Sequence, residues 1–170
     1  MTTKVSLRVL VGIGVLIAGV LGAAMPAGAE TLHYKNYSWV IKGERVPVGD
    51  VDGHRVGLDV RGAFFVFDNG EVATTAGVAT NDYVNGAGPF TQYTTIKFPD
   101  GSTITVKSQG TAGAGHASAA FTSEIIKGTG RFEGIKGTQS GNNKFLPVEP
   151  GEAGARAYGE GALTYTLPAK

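Results

Sequence analysis

The stretch "KGTGRFEGIKGT", Lys127–Thr138, carries four glycines in twelve residues, and its reading decides the fold. A phosphate-binding Walker loop needs Gly-x-x-x-x-Gly-Lys-Ser/Thr at the head of a helix. Here lysine precedes glycine in Lys136-Gly137-Thr138, and "QSGNNKF" follows without a helical period. The dinucleotide fingerprint Gly-x-Gly-x-x-Gly also fails, because Glu133 stands where the third glycine belongs. The stretch therefore reads as a turn and kink between two strands. Gly128 and Gly130 supply positive φ, Phe132 and Ile135 anchor into the core, and Gly134 and Gly137 allow tight bending.

Outward from it, the chain keeps the same character. Glycine makes up 27 of 170 residues, about twice the usual share of ~7%, and falls between alternating apolar runs without the three-residue period of collagen. Val, Thr, Ile, Phe and Tyr are enriched, and beyond the first 29 residues no apolar pattern of period 3.6 is long enough for a helix. Asp52-Gly53, Asn69-Gly70, Asn85-Gly86 and Asp100-Gly101 are hairpin dipeptides, clearest in "IKFPDGSTITV", Ile96–Val106. The segments between turn signals predict strands over 31–41, 44–49, 55–67, 71–82, 90–98, 102–109, 118–126, 135–145 and 156–167. The class is all-β. Long antiparallel strands without helices close most simply into a barrel, which removes exposed edges, and a two-sheet sandwich is the competing arrangement.

Alternation sorts the faces. Phe90, Gln92, Thr94, Ile96 and Phe98 share an inward parity, as do Phe121, Ser123 and Ile125, with Glu124 outward. Leu163, Tyr165 and Leu167 form another inward set. Val56, Leu58 and Val60 are read as inward, which sends Arg55, Asp59 and Arg61 outward. Tyr34, Asn36 and Ser38 are one candidate interior set on the first strand, and Trp39 is expected in the core. "AFFVF", Ala63–Phe67, is apolar on both faces, so its outer side needs cover from a loop or another subunit.

The N-terminal residues follow another logic. Lys4 and Arg8 precede an uncharged apolar run, Val9–Leu21, and Ala27-Gly28-Ala29 fits the pattern cut by signal peptidase. Residues 1–29 read as a cleaved signal peptide, and residues 30–170 as a single domain that is secreted or periplasmic. The apolar run is shorter than the roughly 20 residues of a membrane helix, so no stable membrane insertion is expected after cleavage. The mature chain keeps 13 basic and 14 acidic residues, a net charge of about −1 with no basic run, which sets nucleic acid aside as a partner. There is no cysteine for disulfides or a lipid anchor, so stability rests on a packed core.

Chemical motifs are sparse. His33, His54 and His116 have no metal-ligand spacing, and neither a metal nor a cofactor is expected. "GTQSG" displaces the serine of a nucleophile elbow by one position. Asn36-Tyr37-Ser38 is a formal glycosylation sequon. No catalytic residue can be assigned. Polar residues of inward parity are the ones that must meet a partner or a ligand, since burying one without a partner costs about 1–3 kcal/mol. Tyr34, Asn36, Gln92, Thr94, Ser123 and Tyr165 are the candidate ligand contacts.

"GTGRFEGIKG", Gly128–Gly137, resembles the Gly-Thr-Gly-x-Phe-x-Gly-x-x-Gly segment of the allene oxide cyclase and dirigent-like barrel superfamily, with "FTSEIIK" before it and "ARAYGEGALTYTLP" as a closing strand. The resemblance covers residues 118–167. It implies an eight-stranded antiparallel β-barrel, often trimeric, with an interior ligand cavity. Plant members of that superfamily include an isomerase-type cyclase and proteins that steer radical coupling. The plant cyclases carry Glu and Asn two residues apart on the first strand; Asn36 matches, and Tyr34 stands at the Glu position. Dirigent proteins use acidic and arginine side chains in the pocket, for which Asp59 and Arg61 have the chemistry but not the expected parity. The expectation is a barrel holding a small hydrophobic molecule, possible as a homotrimer. A cyclase or isomerase and a protein acting through its outer surface are the alternatives.

Overall fold

A computed structural model describes residues 28–169. The expected signal peptide lies outside these residues except for Gly28 and Ala29, and the first strand begins at Glu30. Eight strands follow: β1 (Glu30–Pro47), β2 (His54–Phe67), β3 (Val72–Val84), β4 (Gly88–Lys97), β5 (Thr103–Ala112), β6 (Ser118–Thr129), β7 (Lys136–Phe145) and β8 (Ala157–Thr166). Each pairs antiparallel with the next, and β8 pairs with β1, closing the barrel in chain order. The barrel rather than the sandwich is what these strands form. The nine expected segments become eight because 31–41 and 44–49 are one strand, bent by an irregularity between Val40 and Lys42 rather than ended there.

All four predicted dipeptides sit at hairpin connections. Asn85 and Gly86 both take positive φ, 51° and 81°, the pairing a two-residue mirror-type turn requires. At the other three, glycine alone does so.

The barrel has two unlike ends. At the end holding the β2–β3, β4–β5 and β6–β7 turns, aromatic rings fill the interior. Phe67 stacks on Phe98 with centroids 5.5 Å apart, Phe98 meets Phe132 at 4.8 Å, and Phe132 meets Tyr165 edge-on at 6.1 Å. Phe132 and Ile135 reach this plug from the glycine-rich β6–β7 connection, as its sequence predicts. There Gly130 and Gly134 take positive φ of 62° and 75°. Gly128 does not; it is needed instead because the Phe132 carbonyl lies where a Cβ would be. Midway along the barrel, rings lie flat over cross-strand glycines, so that a Cβ on Gly141 would come 2.8 Å from the Phe121 ring. Bulky residues thereby fit inside a narrow barrel.

The faces of β4 and β6 are as predicted, with Thr94, Ile96, Phe98, Ser123 and Ile125 buried. On β8, Leu163 and Tyr165 are buried but Leu167 lies past the strand end and is exposed. The face assigned to β2 is reversed. Asp59 is 3% exposed, whereas Val56, Leu58 and Val60 point outward at 39%, 46% and 36%. The rule of apolar-in fails here because the outer wall of β1–β4 is itself apolar, carrying Val46, Val78 and Tyr93 beside those three. Trp39 also faces outward, over Gly62 and 5.3 Å from Phe64, rather than into the core.

Candidate functional site

Opposite the aromatic plug, toward the β1–β2 and β3–β4 connections, the interior turns polar around a cavity of about 70 Å³. Its walls are Phe65, Phe90, Phe121, Phe145 and alanines, with Asn36, Asp59, Arg61, Asn81, Tyr83, Gln92 and Thr94 among them. The alternation of β2 and β3 delivers this set: Asp59, Arg61, Ala63 and Phe65 descend one inward face, and Ala79, Asn81 and Tyr83 the neighbouring one. A larger hollow of about 870 Å³ crosses the outer wall of β5–β8, β1 and β2. Its outward side chains, such as Lys35, Gln109 and Glu160, are solvated. Most of the buried polar side chains among the described residues line the interior cavity, which makes it the candidate site.

Asp59 is the hub. Arg45 is ion-paired with it, Nη2 donating to Oδ2 at 2.8 Å and Nη1, which donates to the Glu44 carbonyl, lying 2.7 Å from Oδ1 outside hydrogen-bond geometry. Asn81 Nδ2 donates to the same Oδ2 at 3.3 Å. That contact fixes the Asn81 amide, because the opposite orientation would set its oxygen against the carboxylate. Asn81 Oδ1 is then buried without a protein hydrogen-bond partner among the described residues. Arg61 Nη1 lies 3.8 Å from Asp59 Oδ2, an ion pair too long for a hydrogen bond. Burial pulls the Arg61 guanidinium below its usual range, opposed chiefly by Asp59. Burial likewise raises the Tyr83 hydroxyl, so it stays protonated at neutral pH.

The sequence-predicted contacts divide. Asn36, Gln92 and Thr94 line the cavity. Asn36 Nδ2 donates to Asn143 Oδ1 at 3.3 Å, and Gln92 Nε2 donates to Thr94 Oγ1 at 2.6 Å. Tyr34 sits deeper, 4.6 Å from Phe65; its hydroxyl accepts from Gln139 Nε2 at 2.7 Å, and burial raises its pKa well above that of a free tyrosine. Ser123 is not on the cavity wall itself; its hydroxyl is paired at 2.7 Å with that of Ser108, which is. Tyr165 belongs to the plug and donates to Glu30 at 2.7 Å. Asn36 inside the barrel also makes the sequon inaccessible in the folded chain. Asp59 and Arg61 had the chemistry but were assigned to the outer face, and Asn81 and Tyr83 were not predicted. The signal for Asp59 and Arg61 was present in Phe65 and Phe67, whose parity continues back through Ala63 to both.

No protein-family model and no curated protein matches this sequence. Among solved structures, it is similar to the pterocarpan synthase dirigent protein PsPTS1, at 16% identity over 84% of this chain and 98% of that one, with a TM-score of 0.50. It is also similar to the pterocarpan synthase dirigent protein GePTS1, at 15% identity over 82% and 89%, with a TM-score of 0.49. At these identities the likeness is one of fold: an eight-stranded dirigent-like barrel.

Proposed function

We propose that this protein is an exported barrel that binds a small molecule in its interior, at the polar chamber opposite the plug. The observation that carries the reading is the cavity itself, where buried polar side chains from β1, β2, β3 and β4 face a space walled by aromatic rings. A concave space on which polar groups converge is the usual make-up of a ligand site, and here polar side chains outnumber the apolar ones on the walls. The size refines the expectation of a wholly engulfed hydrophobic molecule. About 70 Å³ is roughly half the ~150 Å³ that holds a benzene ring. The chamber therefore seats one end of a ligand, and the apolar remainder extends toward the connections at the mouth.

Cyclase- or isomerase-type chemistry would need a group that exchanges a proton at the cavity. Asp59 is committed to Arg45, and Tyr83 is held protonated by burial, so binding leads catalysis. Self-association belongs to the same reading. Val46, Val56, Leu58, Val60, Val78 and Tyr93 form an exposed apolar wall on β1–β4, and further copies of this chain are its proposed cover.

The test is native mass spectrometry of protein purified from the export compartment. Non-protein mass should accompany the wild type, starting at Glu30, and be lost from Gln92→Leu. Protein free of such mass, with the Asn36 and Gln92 side-chain amide signals unmoved by a small-molecule library, would refute interior binding.

A further inference from the structure

The charges around the chamber do not balance, and the imbalance names a ligand class. Asp59 contributes one negative charge, and Arg45 and Arg61 one positive charge each. Arg45 makes the close ion pair with Asp59, at 2.7 and 2.8 Å from its two oxygens with a hydrogen bond to Oδ2 alone, leaving Arg61 with one ion pair at 3.8 Å. Asp59 is the only carboxylate within 4 Å of Arg61 among the described residues. The Arg61 side chain is only 16% exposed, so water screens its charge poorly. A buried cation in this state calls for an anion, because guanidinium groups so placed are ordinarily paired and hydrogen-bonded.

A second group points to the same ligand independently. Asn81 Oδ1 is a buried acceptor without a protein donor, on a residue 5% exposed. The Asn81 amide and the Arg61 guanidinium both lie within 4 Å of Asp59 Oδ2, so they flank one spot on the cavity wall. One needs an acceptor bearing negative charge, and the other needs a hydrogen-bond donor.

Building on interior binding as the function, we infer that the chamber selects small hydroxy acids, with a carboxylate held by Arg61 and a hydroxyl donating to Asn81. Arg61 presents paired N–H groups that match the two oxygens of a carboxylate, which an amide or ester cannot reproduce. A cavity of about 70 Å³ admits that polar end and little more. The rings of Phe90, Phe121 and Phe145 wall that same cavity, and a flat apolar body on the ligand would extend from it toward the mouth.

The experiment titrates mature protein, in low-chloride buffer, with glycolate and 4-hydroxybenzoate and with their neutral amides. Isothermal calorimetry reads affinity, and NMR reads the Arg61 Nε–H and Asn81 side-chain signals. The acids should bind about tenfold or more tightly than the amides and shift both signals. Arg61→Gln should remove that preference while retaining the wild-type melting temperature. Amides that bind as well as the acids would overturn the anion assignment and leave interior binding standing. Failure of every probe to shift any cavity signal would overturn both. An Arg61→Gln variant that unfolds would show the guanidinium to be a structural partner, and would also overturn the assignment.

Discussion

Asp59→Asn keeps the shape of the hub and removes its charge. Asp59 is 5% exposed at its side chain, Arg61 16% and Arg45 30%. Arg45 can turn toward water when its partner is neutralised, whereas Arg61 remains inside without an anion. Removing one partner of a buried ion pair costs about 3–5 kcal/mol, and the solvent access of Arg45 places this case at the low end, about 3 kcal/mol. For a domain of this length the entropy of unfolding is roughly 0.3 kcal/mol per degree, so the melting temperature should fall by about 10 °C. Arg61→Gln in the Asp59→Asn background should recover at least half of the loss, because the stranded charge is then gone. Urea unfolding and calorimetry of the four proteins, at one fixed chain concentration, measure the cycle. An Asp59→Asn variant within about 0.5 kcal/mol of wild type would refute the hub. A double variant no more stable than Asp59→Asn would refute the account of Arg61.

His54 lies between Asp50, 2.5 Å from Nδ1, and Asp82, 2.6 Å from Nε2, and only an imidazolium can donate to both. Hydrogen bonds to Asp82 and Asp50 raise the His54 pKa, and that from His54 lowers the Asp50 pKa. The His54 contribution to stability is thus full below about pH 6.5 and lost as pH rises through the raised value, while the Asp50 contribution is lost as pH falls through its lowered value. Melting curves should show His54→Gln destabilised between about pH 4.5 and 6 and close to wild type at pH 9; an equal loss at both would contradict the clamp. Leu58→Arg, at an outward position 46% exposed, should leave the circular dichroism unchanged and reduce the native mass to that of one chain. An unchanged oligomer would exclude this wall as the contact.

The sequence was legible where the ordinary barrel pattern holds. From Phe90 to Phe98 the apolar Phe90, Ile96 and Phe98 fix the inward parity, and Gln92 and Thr94, which share it, line the cavity. The "GTGRFEGIKG" segment gives the connection that seats Phe132, since its glycines and its aromatic have separable jobs. Tyr165 was legible as inward but not as part of the plug, because parity says nothing about depth along the barrel. On β2 the pattern inverts. Apolar residues outward and ionic residues inward alternate with the same period as the reverse arrangement, so hydropathy favours the wrong face.

That inversion joins the two proposals. A slip of β2 by one residue would turn Val56, Leu58 and Val60 inward and release Asp59 and Arg61 to water, which hydropathy alone prefers. The "AFFVF" end offers little resistance, since Phe64 and Val66 are as apolar as Phe65 and Phe67. Three specific contacts hold the observed register instead. Arg45 and Asn81 converge on Asp59, and Trp39 lies over Gly62, where the Cβ of Ala63 would strike the ring; a Cβ on Gly62 itself would come 2.9 Å from Trp39. The outward valines and leucine are exposed in a single chain, so covering them with other copies would favour the same register from outside. An anion at Arg61 would favour it from within. Ligand binding and self-association would therefore stabilise one and the same parity of β2, and each should strengthen the other.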